Sequence, residues 1–184
     1  MCIRDRLWGD RFFYMVHFQT PGVIEAEFAT DLRAALKRVY FAGSAAAPNG
    51  MLPDGPRDSA YLPLLPEPPE GPLSFMSDDD LDTYAAAFAE SGMIGAFNRY
   101  RAMRIDGDAN ADIIGATIEQ PSCFIAGEHD LVANLVPGVD AFASAGRGCS
   151  DFRGSTIVAG AGHWVQQEAP DEVNAALDEF LVGL

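Results

Sequence analysis

Ser122-Cys123-Phe124-Ile125-Ala126-Gly127-Glu128-His129-Asp130 follows Pro121 and joins an apolar run to a cluster of polar, ionisable residues. Residues 122–126 are a short apolar run bounded by proline and glycine, the pattern of a strand buried on both faces. A second such run, Ser155 to Val158, leads into Gly160-Ala161-Gly162-His163-Trp164. Between the two lies a helical region containing Pro137. After Pro170, the residues Val173, Leu177, Phe180 and Leu181 recur at the spacing of a terminal amphipathic helix. Strand, helix, strand, helix is the pattern of a parallel α/β edge. Asp130 and His163 then stand at the carboxyl ends of the two strands, the edge where ligands and catalytic groups collect. From strand position alone, a helix-capping aspartate and a turn histidine explain them as well as an acid and a base do.

Upstream the character is helical. Ile24, Phe28, Leu32, Leu36, Val39 and Tyr40 recur at three- and four-residue steps, predicting one amphipathic helix from Ile24 to Phe41 that opens after Pro21-Gly22. Residues 42–76 hold eight of the chain's twelve prolines and read as one long loop, too long for a passive connection. Ser77 with Asp80 resembles a capping box, and Leu81, Tyr84, Ala85 and Phe88 carry a helix to Gly92. A shorter helix follows from Ile94 to Met103, and Asp106 to Asn110 reads as an acidic linker. Residues 9–110 are thus a helical part with the proline-rich loop inside it, and 111–184 an α/β part. The opening Met1-Cys2-Ile3-Arg4-Asp5-Arg6 connects to no periodic pattern, and residues 1–8 read as a foreign or truncated start.

The chain has 184 residues, 48% of them apolar, enough to bury the core of one ordinary domain. Its net charge is −15, with Lys37 the single lysine, and such a field repels phosphates, so neither nucleic acid nor an anionic membrane is an expected partner. Three widely spaced cysteines, Cys2, Cys123 and Cys149, give neither a disulfide framework nor a CxxC metal site. With no apolar run of membrane-spanning length and no signal peptide, a cytoplasmic setting is expected. No glycine cluster has phosphate-loop or dinucleotide spacing and no histidine pair has metal spacing, so no cofactor and no metal is inferred.

Three stretches together resemble the α/β-hydrolase-fold epoxide hydrolases: Phe13-Tyr14-Met15-Val16-His17-Phe18-Gln19-Thr20-Pro21-Gly22-Val23, Phe97-Asn98-Arg99-Tyr100-Arg101, and Gly162-His163-Trp164-Val165-Gln166-Gln167-Glu168-Ala169-Pro170-Asp171-Glu172-Val173-Asn174. The resemblance runs from about Gly9 to the end, and it implies a partial α/β-hydrolase fold: a helical cap over 9–110, then the last strands and helices of a mostly parallel sheet. It further implies that Tyr14 and Tyr100 hold the epoxide oxygen, that Asp130 orients His163, that His163 is the base, and that Gln19 and Trp164 line or brace the substrate pocket. The chemistry calls for these types. A carboxylate opens the strained ether to an ester, phenol O–H groups hydrogen-bond the developing alkoxide, and an imidazole takes the proton of the hydrolytic water. The implied partners are a small-molecule epoxide and water, with no cofactor. His17 and His129 read as structural or exposed, Arg101 as a salt-bridging surface residue, and Cys123 as core.

The departure from the family is specific. Neither a His-Asp-Trp-Gly-like elbow carrying the nucleophile nor the upstream His-Gly-x-Pro segment occurs in this sequence. The chain therefore reads as the C-terminal part of a longer enzyme, inactive alone, with an exposed sheet edge expected to pair with another chain as a homodimer or aggregate. Two alternatives stand beside this reading: a haloalkane or haloacetate dehalogenase, against which the two tyrosines argue, and a non-catalytic truncated protein containing a cap.

Overall fold

A computed structural model describes residues 8–48, 53–136 and 138–184. Residues 1–7 of the stretch read as a foreign start, and Pro137, lie outside the described residues. The chain forms two compact units, Met1–Ala42 with Met51–Ala111, and Gly43–Gly50 with Asp112–Leu184. Residues 43–50, read from sequence as part of the proline-rich loop, thus cluster with the second unit.

The first unit is helical: α1 (Tyr14–His17), α2 (Val23–Thr30), α3 (Leu32–Gly43, its last residue in the other unit), α4 (Asp78–Ser91) and α5 (Ile94–Ala109). The single helix expected over 24–41 is two. Asp31 is extended (φ −154°, ψ 93°), its carboxylate accepts the Ala34 amide at 3.0 Å, and its carbonyl accepts the Ala35 amide at 2.9 Å. An aspartate that offers the backbone this local alternative starts a new helix instead of continuing the old one. The apolar phase survives the break, because Ile24, Phe28, Ala35 and Leu36 are all buried. At α4 the expected capping box forms, the Asp80 amide donating to Ser77 Oγ at 3.1 Å and the Ser77 amide to Asp80 Oδ2 at 3.0 Å. The expected acidic linker is instead the last turn of α5, which runs to Ala109, and the Asn110 side chain donates to the Asp106 carbonyl at 2.7 Å to close it.

Prolines remove amide donors from the long loop, and α3 supplies cationic donors to three of its carbonyls. Lys37 Nζ donates to the carbonyls of Pro69 and Gly71, each at 2.7 Å, and the Arg38 guanidinium donates twice to that of Leu65. Leu65, Leu73 and Met76 from this loop are buried, as are Phe12, Phe18, Leu81 and Phe97 elsewhere in the unit.

In the second unit β1 (Ser122–Gly127) pairs parallel with β2 (Phe152–Val158). Between the pairs Ser122/Phe152 and Phe124/Ser155, β2 carries one residue more than β1, and Gly154 takes a φ of 123° there. That is a bulge at a position only glycine fills without strain. The expectation of burial on both faces is corrected: β1 is mostly half-buried and β2 mostly exposed, since among the described residues the sheet has two strands only, each with an open edge, and a narrow face to pack against. Cys123 is half-buried for the same reason, not core. The expected helix around Pro137 is also corrected. The described crossover has 3-10 turns at Leu131–Asn134 and Phe142–Ser144, with Gly138 and Gly148 at positive φ among residues that cannot hold a helix register. After β2 come α6 (Val165–Glu168) and α7 (Pro170–Val182), the latter opened by a proline whose missing amide costs nothing at that place. Val158, Ala161, Val165 and Val173 form the unit's core, with Ile125 and Ala169 packed on it. No helix among the described residues is long and apolar enough to cross a membrane.

Candidate active site

In the first unit, Tyr14 on α1 and Tyr100 on α5 meet edge to face, their ring centroids 5.8 Å apart at 82°. Aromatic packing sets this pair, since Phe18 contacts both rings edge-on, at 5.5 Å and 5.1 Å. Gln19 ties the two segments together, its amide donating to the Met15 carbonyl at 2.8 Å and the Tyr100 carbonyl at 3.1 Å. It braces the tyrosine pair through main-chain atoms. Burial raises the Tyr14 pKa to about 12, with the neighbouring Tyr100 adding to the rise and Arg99 opposing it. A phenol so placed keeps its proton across the whole neutral range and remains a donor.

The same cluster holds residues that the sequence reading undervalued. Arg101 is no loose surface cation: its Nε donates to the Phe18 carbonyl at 2.8 Å and its Nη1 to Glu25 Oε1 at 2.6 Å, with side-chain exposures of 13% and 20% for the ion pair. Glu25 also accepts the Gly22 amide at 2.8 Å, so one carboxylate fixes both the start of α2 and the guanidinium. The hydrogen bond from Arg101, the largest cause, holds the Glu25 carboxyl below the usual carboxylate range. His17 is structural as expected: its Nε2 lies 2.6 Å from Glu27, which accepts the Leu62 amide at 2.9 Å through its other oxygen. Beside Leu62, Tyr61 packs edge-on against Phe18 at 5.0 Å, and burial, then Tyr100, Tyr14 and Glu27, push its phenol pKa up. No spacing in the sequence marks Tyr61, because it sits in the proline-rich loop, where helical periodicity gives no information.

In the second unit, Asp130 and His163 come together at the strand ends. His163 Nδ1 lies 3.0 Å from Asp130 Oδ1, which also accepts the Val132 amide at 2.8 Å. The aspartate is the helix-capping residue of one reading and the histidine's partner of the other, at once. Its side chain is 11% exposed and that of His163 39%, so the carboxylate is shielded while the imidazole opens outward. Burial pushes the Asp130 pKa up, but the hydrogen bonds from His163 and the Val132 amide and the histidine's charge outweigh it, and the net shift is downward. Trp164 packs edge-on to His163 at 4.9 Å between centroids. Its indole also covers Gly43, where a side chain would strike the ring. A cavity of about 390 Å³ opens beside Asp130, lined among others by Ser44, Glu128, His129 and Asn134. Glu128, two residues before the acid, has its carboxylate accepting the Gly160 amide at 3.0 Å. A larger groove of about 580 Å³ in the first unit, between α2, α3 and the proline-rich loop, is lined by none of the six expected site residues. No group of histidine, cysteine and carboxylate side chains among the described residues could hold a metal ion.

The chain is 37% identical to epoxide hydrolase A of Mycobacterium tuberculosis over 96% of its own length and 54% of that protein. Its fold superposes on the crystal structure of epoxide hydrolase A from Mycobacterium thermoresistibile with a TM-score of 0.85 at 35% identity, covering 98% of this chain and 55% of the other. This chain is a relative of the α/β-hydrolase-fold epoxide hydrolases. Epoxide hydrolase 1 of Siraitia grosvenorii is 33% identical over 92% of the chain and 52% of that protein, and potato epoxide hydrolase I superposes with a TM-score of 0.80 at 32% identity, over 98% of this chain and 55% of the other. No protein-family model matches the chain. The chain spans about half the length of the epoxide hydrolases it matches, and the match falls on their C-terminal part. Its helices and parallel strand pair are accordingly a portion of the epoxide hydrolase fold.

Proposed function

We propose that this chain is the helical cap and C-terminal core of an epoxide hydrolase that converts an organic epoxide and water to a vicinal diol without a cofactor. The observation that carries the reading is the Tyr14–Tyr100 pair, two phenols edge to face with one pKa near 12, since an opening epoxide oxygen becomes a basic alkoxide that takes a proton from an O–H donor, whereas a halide leaves as a stable anion and takes none. The names of the relatives support the same substrate class.

In this reaction Tyr14 and Tyr100 donate to the epoxide oxygen while a carboxylate attacks a ring carbon. The C–O bond breaks, an ester forms, and a phenol proton passes to the alkoxide. The attacking carboxylate belongs to the length of the relatives that this chain does not span. His163 Nε2 then takes a proton from water and the resulting hydroxide adds to the ester carbonyl; the ester C–O bond breaks, the carboxyl proton passes to the departing oxygen, the imidazolium proton returns to the tyrosinate, and the diol leaves as the carboxylate, phenol and imidazole are restored. Asp130, bonded to Nδ1, fixes the tautomer with Nε2 unprotonated and stabilises the imidazolium that forms. Gln19 and Trp164 brace the tyrosine pair and the histidine respectively. Free thiols at Cys123 and Cys149 suit a cytoplasmic setting.

The test is to read the coding sequence upstream of Gly9, express the chain joined to it, and supply epoxides in ¹⁸O-water. We expect an in-frame His-Asp-Trp-Gly-like elbow, labelled diol from the joined protein, and none from residues 1–184 alone. An upstream sequence without a carboxylate at such an elbow, or a joined protein that releases halide and no diol, would overturn the proposal.

A further inference from the structure

We infer that Glu168 is the positioning residue of His163, acting through the backbone on both sides of it; this deepens the reading of His163 as the base and rests on it. Glu168 Oε2 accepts the Gly162 amide at 3.1 Å and the Ala45 amide at 2.8 Å, while Oε1 accepts the Trp164 amide at 3.1 Å. The amides immediately before and after the histidine therefore end on one carboxylate. The amide of His163 itself donates to the Gly43 carbonyl at 2.8 Å. Every N–H of the Gly162–Trp164 turn is fixed, two by Glu168 and one by the segment that Glu168 also grips at Ala45.

Capping of α6 does not account for this arrangement. Only the Trp164 amide belongs to the start of that short helix, and the amides of Ala45 and Gly162 lie outside it. The fit around the turn is also tight: a Cβ on Gly162 would collide with the backbone of Ser44 and Ala45, and one on Gly127 with the carbonyls of Ala161 and Gly162. An anionic acceptor shared by three N–H donors is the strong form of hydrogen bond, and it holds a main-chain turn more rigidly than neutral partners do. Asp130 holds the ring by Nδ1 and Glu168 holds the peptide that carries it, so the two carboxylates divide the orientation of one imidazole between them.

The test reads the imidazole and uses no substrate. The chain has three histidines, so ¹⁵N-histidine labelling of residues 1–184 gives three resolvable rings, with His17 as the internal reference in the other unit. In the wild-type chain we expect His163 as the Nδ1–H tautomer, with a slowly exchanging downfield proton shared with Asp130. Glu168→Gln replaces one acceptor oxygen by a donor, and Glu168→Asp keeps the charge but withdraws it by one methylene. In both, the downfield proton should be lost to exchange and the His163 nitrogen shifts should move toward tautomer averaging, with His17 unchanged. Val173→Ala, a core truncation in the same unit, should lower the melting temperature and leave the His163 signals as they are. Should Glu168→Gln fail to fold, Glu168→Asp decides. Wild-type His163 signals in the folded Glu168 variants, or the same loss in Val173→Ala, would overturn the positioning role, while the epoxide reading keeps its own test in diol formation.

Discussion

Asp130 Oδ1 serves His163 Nδ1 at 3.0 Å and the Val132 amide at 2.8 Å, so the atom that starts the 3-10 turn is the atom that orients the imidazole. Its pKa is lower in the folded state than in the unfolded chain, where an aspartate titrates near 3.9. The stabilisation is therefore complete above the ordinary carboxylate range and is lost as pH falls through the lower folded value. We expect acid unfolding of the chain to shift to higher pH in Asp130→Asn and its pH slope in that window to flatten. Denaturant melts from pH 6 to 2 measure both, and superimposable curves would remove the linkage.

In the joined protein, Tyr14→Phe and Tyr100→Phe should each slow formation of the ester by on the order of 30- to 1,000-fold, about 2–4 kcal/mol, because one of two oxygen donors remains. His163→Gln should form the ester at the wild-type rate and hold it. Single-turnover kinetics with mass detection of the alkylated protein separates the steps. Ring opening at the wild-type rate in both tyrosine variants would refute their assignment.

The raised phenol of Tyr14 gives an alkaline expectation. Folded, it retains its proton to about pH 12, while an unfolded tyrosine releases it near 10. Its contribution to stability is present below pH 10 and fades between 10 and 12. Ring opening should likewise show no alkaline limb assignable to Tyr14 below about pH 11, and ultraviolet titration of tyrosinate, wild type against Tyr14→Phe, checks the value directly. A Tyr14 that ionises near 10 would mean the pair is open to water.

Arg101→Ala should cost about 1–3 kcal/mol by thermal or denaturant melt, since it strips Glu25 and the Phe18 carbonyl of a charged donor. Arg101→Lys should recover only part of that, because an ammonium cannot bridge Glu25 and the carbonyl as a planar fork does. Full recovery by lysine would show that charge alone matters at this position.

Ile157 on β2 and Leu181 on α7 are 47% and 59% exposed in the second unit. An apolar strand face and edge without cover recruits another chain. Residues 1–184 should self-associate in sedimentation experiments, and Ile157→Lys should shift the distribution toward monomer. A monodisperse wild-type monomer with one cooperative melt would contradict this.

Some of this architecture can be read from residues and some cannot. The strand pair, the capping box at Ser77 and the helix opened by Pro170 follow from local patterns of apolar period, cap and proline, and each forms where expected, except that the second strand opens three residues early, at Phe152. Asp31 misleads because helical period is blind to a side chain that competes for the backbone: the apolar phase continues straight through the break it makes. At the candidate site, Asp130 and His163 are marked by their place at strand ends. Glu168 and Arg101 are not, because a carboxylate or guanidinium that will bind main-chain atoms far away in sequence looks the same on paper as one facing solvent. Their partners, Ala45 for Glu168 and Phe18 for Arg101, are 123 and 83 residues distant.

Residues 43–50 have a practical consequence for anyone recombining this protein with its relatives. The chain passes from one unit to the other at 42/43, returns at 50/51 and passes again at 111/112, so no single cut separates the two units. A hybrid joined only near 111 would take Gly43 and Ala45 from one parent and His163 and Glu168 from the other, mismatching the contacts that seat the histidine turn. Exchange of substrate range between relatives should therefore succeed with three junctions, where 43–50 travels with 112–184, and fail with one.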